Sequence, residues 1–166
     1  MNRWLMVGAS GLMTSSAFIT SCASGNTAPV SGGEEQAVRD AAAKFYSALQ
    51  VMFTGDASPM KDVWSHADDV TFMGPGGEVK RGWPAVAAEW EAEAALKLGG
   101  DVQPADLQVI VGQDLALTSG WERGRNVGAD GKEQVVSIRA TNVFRKEGGS
   151  WKMIGHHTDL LPFLAK

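Results

Sequence analysis

Residues Ser137 to Asp159 read "SIRATNVFRKEGGSWKMIGHHTD". Two runs rich in β-branched and aromatic residues flank the turn signal "EGG", and this predicts an antiparallel hairpin. Side chains alternate along a strand. In the first run Val136, Ile138, Ala140 and Phe144 share one face, interrupted by Asn142, while Arg139 and Thr141 share the other with Val135 and Val143. Apolar side chains on both faces call for cover on both, by helices on one and a second subunit on the other. In the second run alternation groups Trp151, Met153, Gly155, His157 and Asp159 against Lys152, Ile154, His156 and Thr158. The neighbours His156 and His157 therefore point to opposite faces and do not form a two-histidine ligand set.

Outward from this hairpin, "ADLQVIV" and "LALTSGWERGR" extend it into an antiparallel meander, with turn signals at "GQD" and "GADG". Further upstream the period changes. Val38, Ala42, Phe45, Leu49 and Met52 recur at helical spacing, after a capping-box pair of Ser31 and Glu34. Ser58-Pro59 opens a short helix through Trp64. "DDVTFMG", the turn "PGG" and "EVKRG" form a small hairpin. A helix from Pro84 carries Val86, Trp90 and Ala94 on one face and stops at Gly99-Gly100. The order α-α-β-β-α-β-β-β-β predicts an α+β cone, with helices packed on one face of a curved antiparallel sheet. Such a cone has an open mouth suited to a ligand.

The chain has 166 residues, enough for one domain with its own core, and a formal charge of −4. A mildly acidic chain without a basic run gives no electrostatic footprint for nucleic acid. At the front, Arg3 precedes an apolar stretch too short and too polar at its centre to span a bilayer, the pattern of an export signal. "ITSC", Ile19 to Cys22, resembles the bacterial lipobox. That resemblance implies cleavage before Cys22 and acylation of its thiol and amino group, hence anchoring in the cell envelope, at the outer membrane or periplasmic face if the cell has one. Cys22 is the sole cysteine, so no internal disulfide competes for it. The expected organisation is a signal peptide over 1–21, a small-residue tether over 22–33 and the domain over 34–166.

The element order, with "FTGDASPMKDVWSHADDVTFMGPGGEVKRGW" (Phe53 to Trp83) and the hairpin quoted above, resembles the SnoaL-like branch of the nuclear transport factor 2-like, cystatin-like superfamily. The resemblance covers about the whole domain from Glu34. It implies a homodimer through sheet faces and a terminal-strand pattern, W-x-aliphatic-x-x-x-H, that points His157 into the cone. An R-x-T pattern on the preceding strand would bring Arg139 and Thr141 to the same interior. Trp64, Asp69, Phe72, Trp90 and Trp121 are the expected wall residues.

These groups allow three readings. In the leading one, the cone binds a small organic, possibly acidic, molecule, with Arg139 and His157 supplying polarity and catalysis unassigned. In the second, His157 is a base oriented by Asp159, with Arg139 stabilising an oxyanion, for isomerase-, cyclase- or dehydratase-type chemistry beside a carbonyl. The third is an envelope assembly module without catalysis. Each named residue also has a structural role to weigh: a hydrogen-bonded core histidine for His157, and an ion pair with Asp69, Asp159 or Glu122 for Arg139. Tyr46, the one tyrosine, sits on the first helix, where packing is the favoured role. No metal or cofactor is expected. His66, His157, Asp69 and Asp159 lack metal-ligand spacing, and "GPGG" is a hairpin turn rather than a phosphate loop.

Overall fold

The computed structural model describes residues 32–128 and 130–165. The signal sequence, Cys22 and the tether through Ser31 lie outside the described residues, and so does the Ser31 half of the capping box. Helix α1 (Gly32–Met52) takes in the last two residues of the stretch expected to be tether. Its apolar stripe of Val38, Ala42, Phe45, Leu49 and Met52 is buried as the spacing demands. Helix α2 (Met60–Val63), strands β1 (Thr71–Met73) and β2 (Val79–Arg81), and helix α3 (Trp83–Ala95) follow, then the long strands β3 (Asp101–Val111), β4 (Leu115–Val127), β5 (Glu133–Glu147) and β6 (Ser150–Thr158). This is the α+β order read from the sequence.

The six strands form one sheet in the order β2-β1-β6-β5-β4-β3. Every neighbouring pair is antiparallel except β1 and β6, which run parallel. The helices cover the concave face, burying Phe45, Trp64, Phe72, Trp90, Phe144 and Met153. Curvature comes from two irregularities. In β3 the register slips between Ala105 and Gln108. Close by, β4 crosses β3 at Gly124, where a Cβ would fall 1.9 Å from the Asp101 carbonyl oxygen and φ is +153°. Only glycine lets the two backbones approach this closely.

The second irregularity decides the chemistry. Between Val143 and Phe144 the register on β6 jumps from Gly155 to Met153, so Ile154 is an extra residue opposite a single step of β5. This β-bulge breaks the alternation. Trp151 and Met153 point inward before it, and His156 and Thr158 point inward after it. The expected grouping of Trp151 and Met153 with His157 and Asp159 is therefore corrected: His157 is exposed and His156 is buried.

Helix α1 also orients the cone. Near its start the Glu34 carboxylate accepts hydrogen bonds from Lys146 Nζ (2.6 Å) and Trp151 Nε1 (3.1 Å). Those partners flank the β5–β6 turn and close the narrow end. At the far end of α1, Leu49 and Phe53 line the cavity.

Candidate functional site

The cavity lies between the α1 C-terminus, α3 and the inner faces of β4, β5 and β6. About 40 Å³ of it is open to water centres, room for about three water-sized groups. Its walls are mostly apolar. Phe53, Phe72 and Trp90 supply the aromatic part, Val136 and Ile138 come from β5, and Leu161 and Leu164 from the C-terminal turn. That turn is tied over the mouth by the Leu161 amide donating to the Pro75 carbonyl at 2.9 Å.

Polar groups are few: Glu93, Glu122, Asn126 and His156, of which Asn126 donates through Nδ2 to the Gly99 carbonyl at 3.0 Å. His156 is fully enclosed, stacked on Phe72 at 5.6 Å and tilted against Phe45 at 5.0 Å. Its Nδ1 lies 2.6 Å from Asn142 Oδ1. An amide oxygen only accepts, so Nδ1 carries the proton and Nε2 keeps its lone pair. The other end of Asn142 fixes this orientation, since Nδ2 faces Tyr46 Oη at 3.5 Å and Thr118 Oγ1 at 3.4 Å. The Tyr46 hydroxyl in turn neighbours the Glu122 carboxyl group and favours its ionised form. A chain His156–Asn142–Tyr46–Glu122 thus spans the interior. Glu122 is 4% exposed, and its Oε1 is buried with no hydrogen-bond partner.

Burial sets the protonation of this chain, because a charge loses its hydration there. It pushes the Glu122 carboxyl up to about 7, against the lowering effect of the Tyr46 hydroxyl. It pushes the His156 imidazole down to about 3, helped by the neighbouring His157 charge. It also raises the Tyr46 phenol, with the Glu122 charge adding to the effect. Near neutral pH His156 is a neutral hydrogen-bonding group, and Glu122 is the group able to exchange a proton.

The expected site residues divide sharply. Phe72 and Trp90 line the cavity. Trp64 is buried beside Trp90, ring centroids 6.1 Å apart, within the core. Arg139, Thr141, His157 and Trp121 lie on the opposite, convex face of the sheet. There Thr141 pairs with His157 across β5 and β6, and Arg139 pairs with Trp121 across β5 and β4. The Arg139 guanidinium binds the Asp159 carboxylate at 2.8 Å through both Nε and Nη2, which holds the Asp159 carboxyl down at about 2. Asp69 faces solvent and pairs with Arg145 Nη1 at 2.7 Å. His66 stacks on Trp83 at 4.4 Å, away from the cone. The proposed constellation of Arg139, His157 and Asp159 therefore exists as a cluster, but outside the cone. The reason is physical: helices cover the face bearing Val136, Ile138, Ala140 and Phe144, so Arg139 and Thr141 must take the other.

Sequence reasoning passed over Glu122 and His156 as cavity residues and Asn142 as the buried partner of His156, and gave Tyr46 to packing. The signal for Glu122 was present. It alternates with Trp121 and pairs in register with Ile138, so placing Ile138 inward carries Glu122 with it. Just outside the mouth, Glu78, Glu89 and Glu93 each place a carboxylate oxygen within 4.8 Å of the others. Lys80 Nζ pairs with Glu89 at 2.9 Å.

Comparison with known proteins agrees with this architecture. No curated protein matches the sequence. Among solved structures, a candidate dehydratase of the NTF2-like family from Streptomyces avermitilis is 26% identical with a TM-score of 0.68, over 78% of this chain and 96% of that one. A candidate calcium/calmodulin-dependent protein kinase type II association domain from Thiobacillus denitrificans is 27% identical with a TM-score of 0.63, over 74% of this chain and 94% of that one. A nuclear transport factor 2-like superfamily protein from Salmonella enterica serovar Typhimurium has a TM-score of 0.67 at 17% identity, over 75% of this chain and 89% of that one. The family model described as a SnoaL-like domain matches residues 38–160, and the chain belongs to that family, within the NTF2-like superfamily.

Proposed function

We propose that this SnoaL-like domain binds a small organic molecule in its cone, with Glu122 as the polar group that meets it. The observation that carries the reading is the unpartnered Glu122 Oε1, buried on the wall of a mostly apolar cavity. A buried acceptor without a partner costs about 1–3 kcal/mol, and a ligand donor would recover that. The test is a thermal-shift screen of small organic compounds, followed by Glu122→Gln and His156→Gln. Loss of the stabilisation in both variants supports the assignment. A hit unaffected by either substitution would place binding elsewhere.

A second reading, acid–base chemistry beside a carbonyl, is favoured by one observation: the Glu122 carboxyl sits at about 7, where a general base both holds and releases a proton. The candidate Streptomyces dehydratase, 26% identical, belongs to the class of reaction this would allow. Glu122 would be the base, and the Tyr46 hydroxyl its neighbour. Turnover that persists in Glu122→Gln would refute it.

Two wider features complete the proposal. Acylated Cys22 tethers the domain to an envelope membrane; α1 then leaves the tether at the narrow end and carries the mouth to the end away from it. Retention of a Cys22→Ser variant in the membrane fraction would contradict this. The convex face, with Ile110 62% exposed and Val135 75% exposed, pairs two copies into a homodimer around Trp121. Sedimentation of Trp121→Glu as a monomer is the expected result, and an unchanged dimer refutes the interface.

A further inference from the structure

The cone's charge pattern bears on what enters it. Its ionisable wall groups, among the described residues, are Glu93, Glu122 and His156. A pocket of about 240 Å³ open to water centres adjoins the cone and shares Glu93, Leu98 and Leu164 with it. The ionisable groups lining that vestibule are Glu78, Glu89 and Glu93. The described lining of both spaces therefore holds four carboxyl groups and no lysine or arginine; the nearest cation given by the contacts is Lys80, paired to Glu89. With Arg139 on the far face of the sheet, a carboxylate ligand has no guanidinium to meet here.

The aromatic wall points the same way. Phe72 and Trp90 meet edge-on at 4.7 Å, and Phe53 lines the same cavity. Ring faces attract cations through their quadrupole, most strongly where water is excluded. The same cavity wall carries the unpartnered Glu122 Oε1 and, beside those rings and by the tautomer that Asn142 imposes, the His156 Nε2 lone pair. Both accept hydrogen bonds. An ammonium has three donors and no acceptor, so its needs match acceptors and π-faces together.

We infer that the cone takes an organic amine, its ammonium head held by Glu122 among Phe53, Phe72 and Trp90 and its tail leaving past Leu164 through the acidic vestibule. This rests on the cone being the ligand site. The small volume fits an ammonium-sized head on a narrow chain, and the carboxylates outside raise the local concentration of cations.

The test compares three probes of one shape, n-butylamine, n-butanol and butyrate, by chemical-shift changes of the Trp90 indole resonance in the full domain at pH 7.5. The expected result is binding of the amine at least tenfold tighter than the alcohol, with butyrate weakest, and an amine affinity that falls as salt rises. Glu122→Gln should lose about tenfold for the amine and clearly less for the alcohol, because only the amine loses a charge partner. Phe72→Leu, which keeps the apolar wall but removes a ring, should weaken the amine more than the alcohol. Alcohol binding without amine preference overturns this inference and leaves the cone reading standing. Failure of all three probes to perturb Trp90 overturns both.

Discussion

Replacing Glu122 by glutamine should stabilise the protein, by an amount that grows from about pH 4.5 upward and is complete near pH 8. The folded state raises this carboxyl from 4.5 to about 7, chiefly by burial. Between those values the folded state keeps a proton that the unfolded chain has released, so stability falls as pH rises from about 4.5 through about 7. The gap, at about 1.4 kcal/mol for each tenfold in proton affinity, amounts to about 3 kcal/mol above pH 8. Glutamine has the same shape and never ionises. Urea denaturation followed by tryptophan fluorescence at pH 4 and pH 8.5 measures the difference between variant and parent. His156 acts in the opposite sense, withdrawing stability as pH falls below its unfolded value toward about 3, but it does so in both proteins and cancels. The expected difference is near zero at pH 4 and about 3 kcal/mol in favour of Glu122→Gln at pH 8.5. A difference independent of pH would show that Glu122 does not titrate as a buried acid, and the account of the cone would fall with it.

Other expectations follow from single contacts. Asn142→Ala leaves the His156 Nδ1–H without its acceptor, and should cost about 1–3 kcal/mol in the same urea assay; an unchanged midpoint refutes the hydrogen-bonded chain. Gly124→Ala puts a methyl 1.9 Å from the Asp101 oxygen. It should lower stability by at least about 2 kcal/mol, and a neutral result would mean that β3 and β4 do not cross so closely. Arg139→Ala and His157→Ala, both on the convex face, should leave cone binding of any stabilising compound unchanged. A loss above about threefold in either would return those residues to the site.

Much of the fold was legible because it rests on periodicity. The stripe on α1, the turn signals and the long alternating runs of β3 to β6 each state a local preference that the tertiary structure keeps. The site was less legible, because a site depends on which of two faces a strand turns inward. Ile138 and Phe144 already marked the inner face of β5, and strict use of that marker would have sent Arg139 outward and Asn142 inward. On β6 no such marker sufficed. The bulge at Ile154 inverts every side chain after it, and nothing in "KMIGHHT" announces an extra residue beyond the glycine beside it. Tyr46 illustrates a third limit. Its helical position was clear, but its link to Glu122 joins residues far apart in the chain, and periodicity carries no information about such pairs.

The most direct test of the account asks which of two adjacent histidines is in the cone. Long-range ¹H–¹⁵N spectra of the imidazoles, recorded as pH is lowered, should contain one ring that stays neutral below pH 5 in the Nδ1-protonated tautomer. That signal should vanish in His156→Gln and persist in His157→Gln. If it vanishes instead in His157→Gln, the bulge does not invert the strand, and the cavity chemistry built on Glu122 and His156 is wrong.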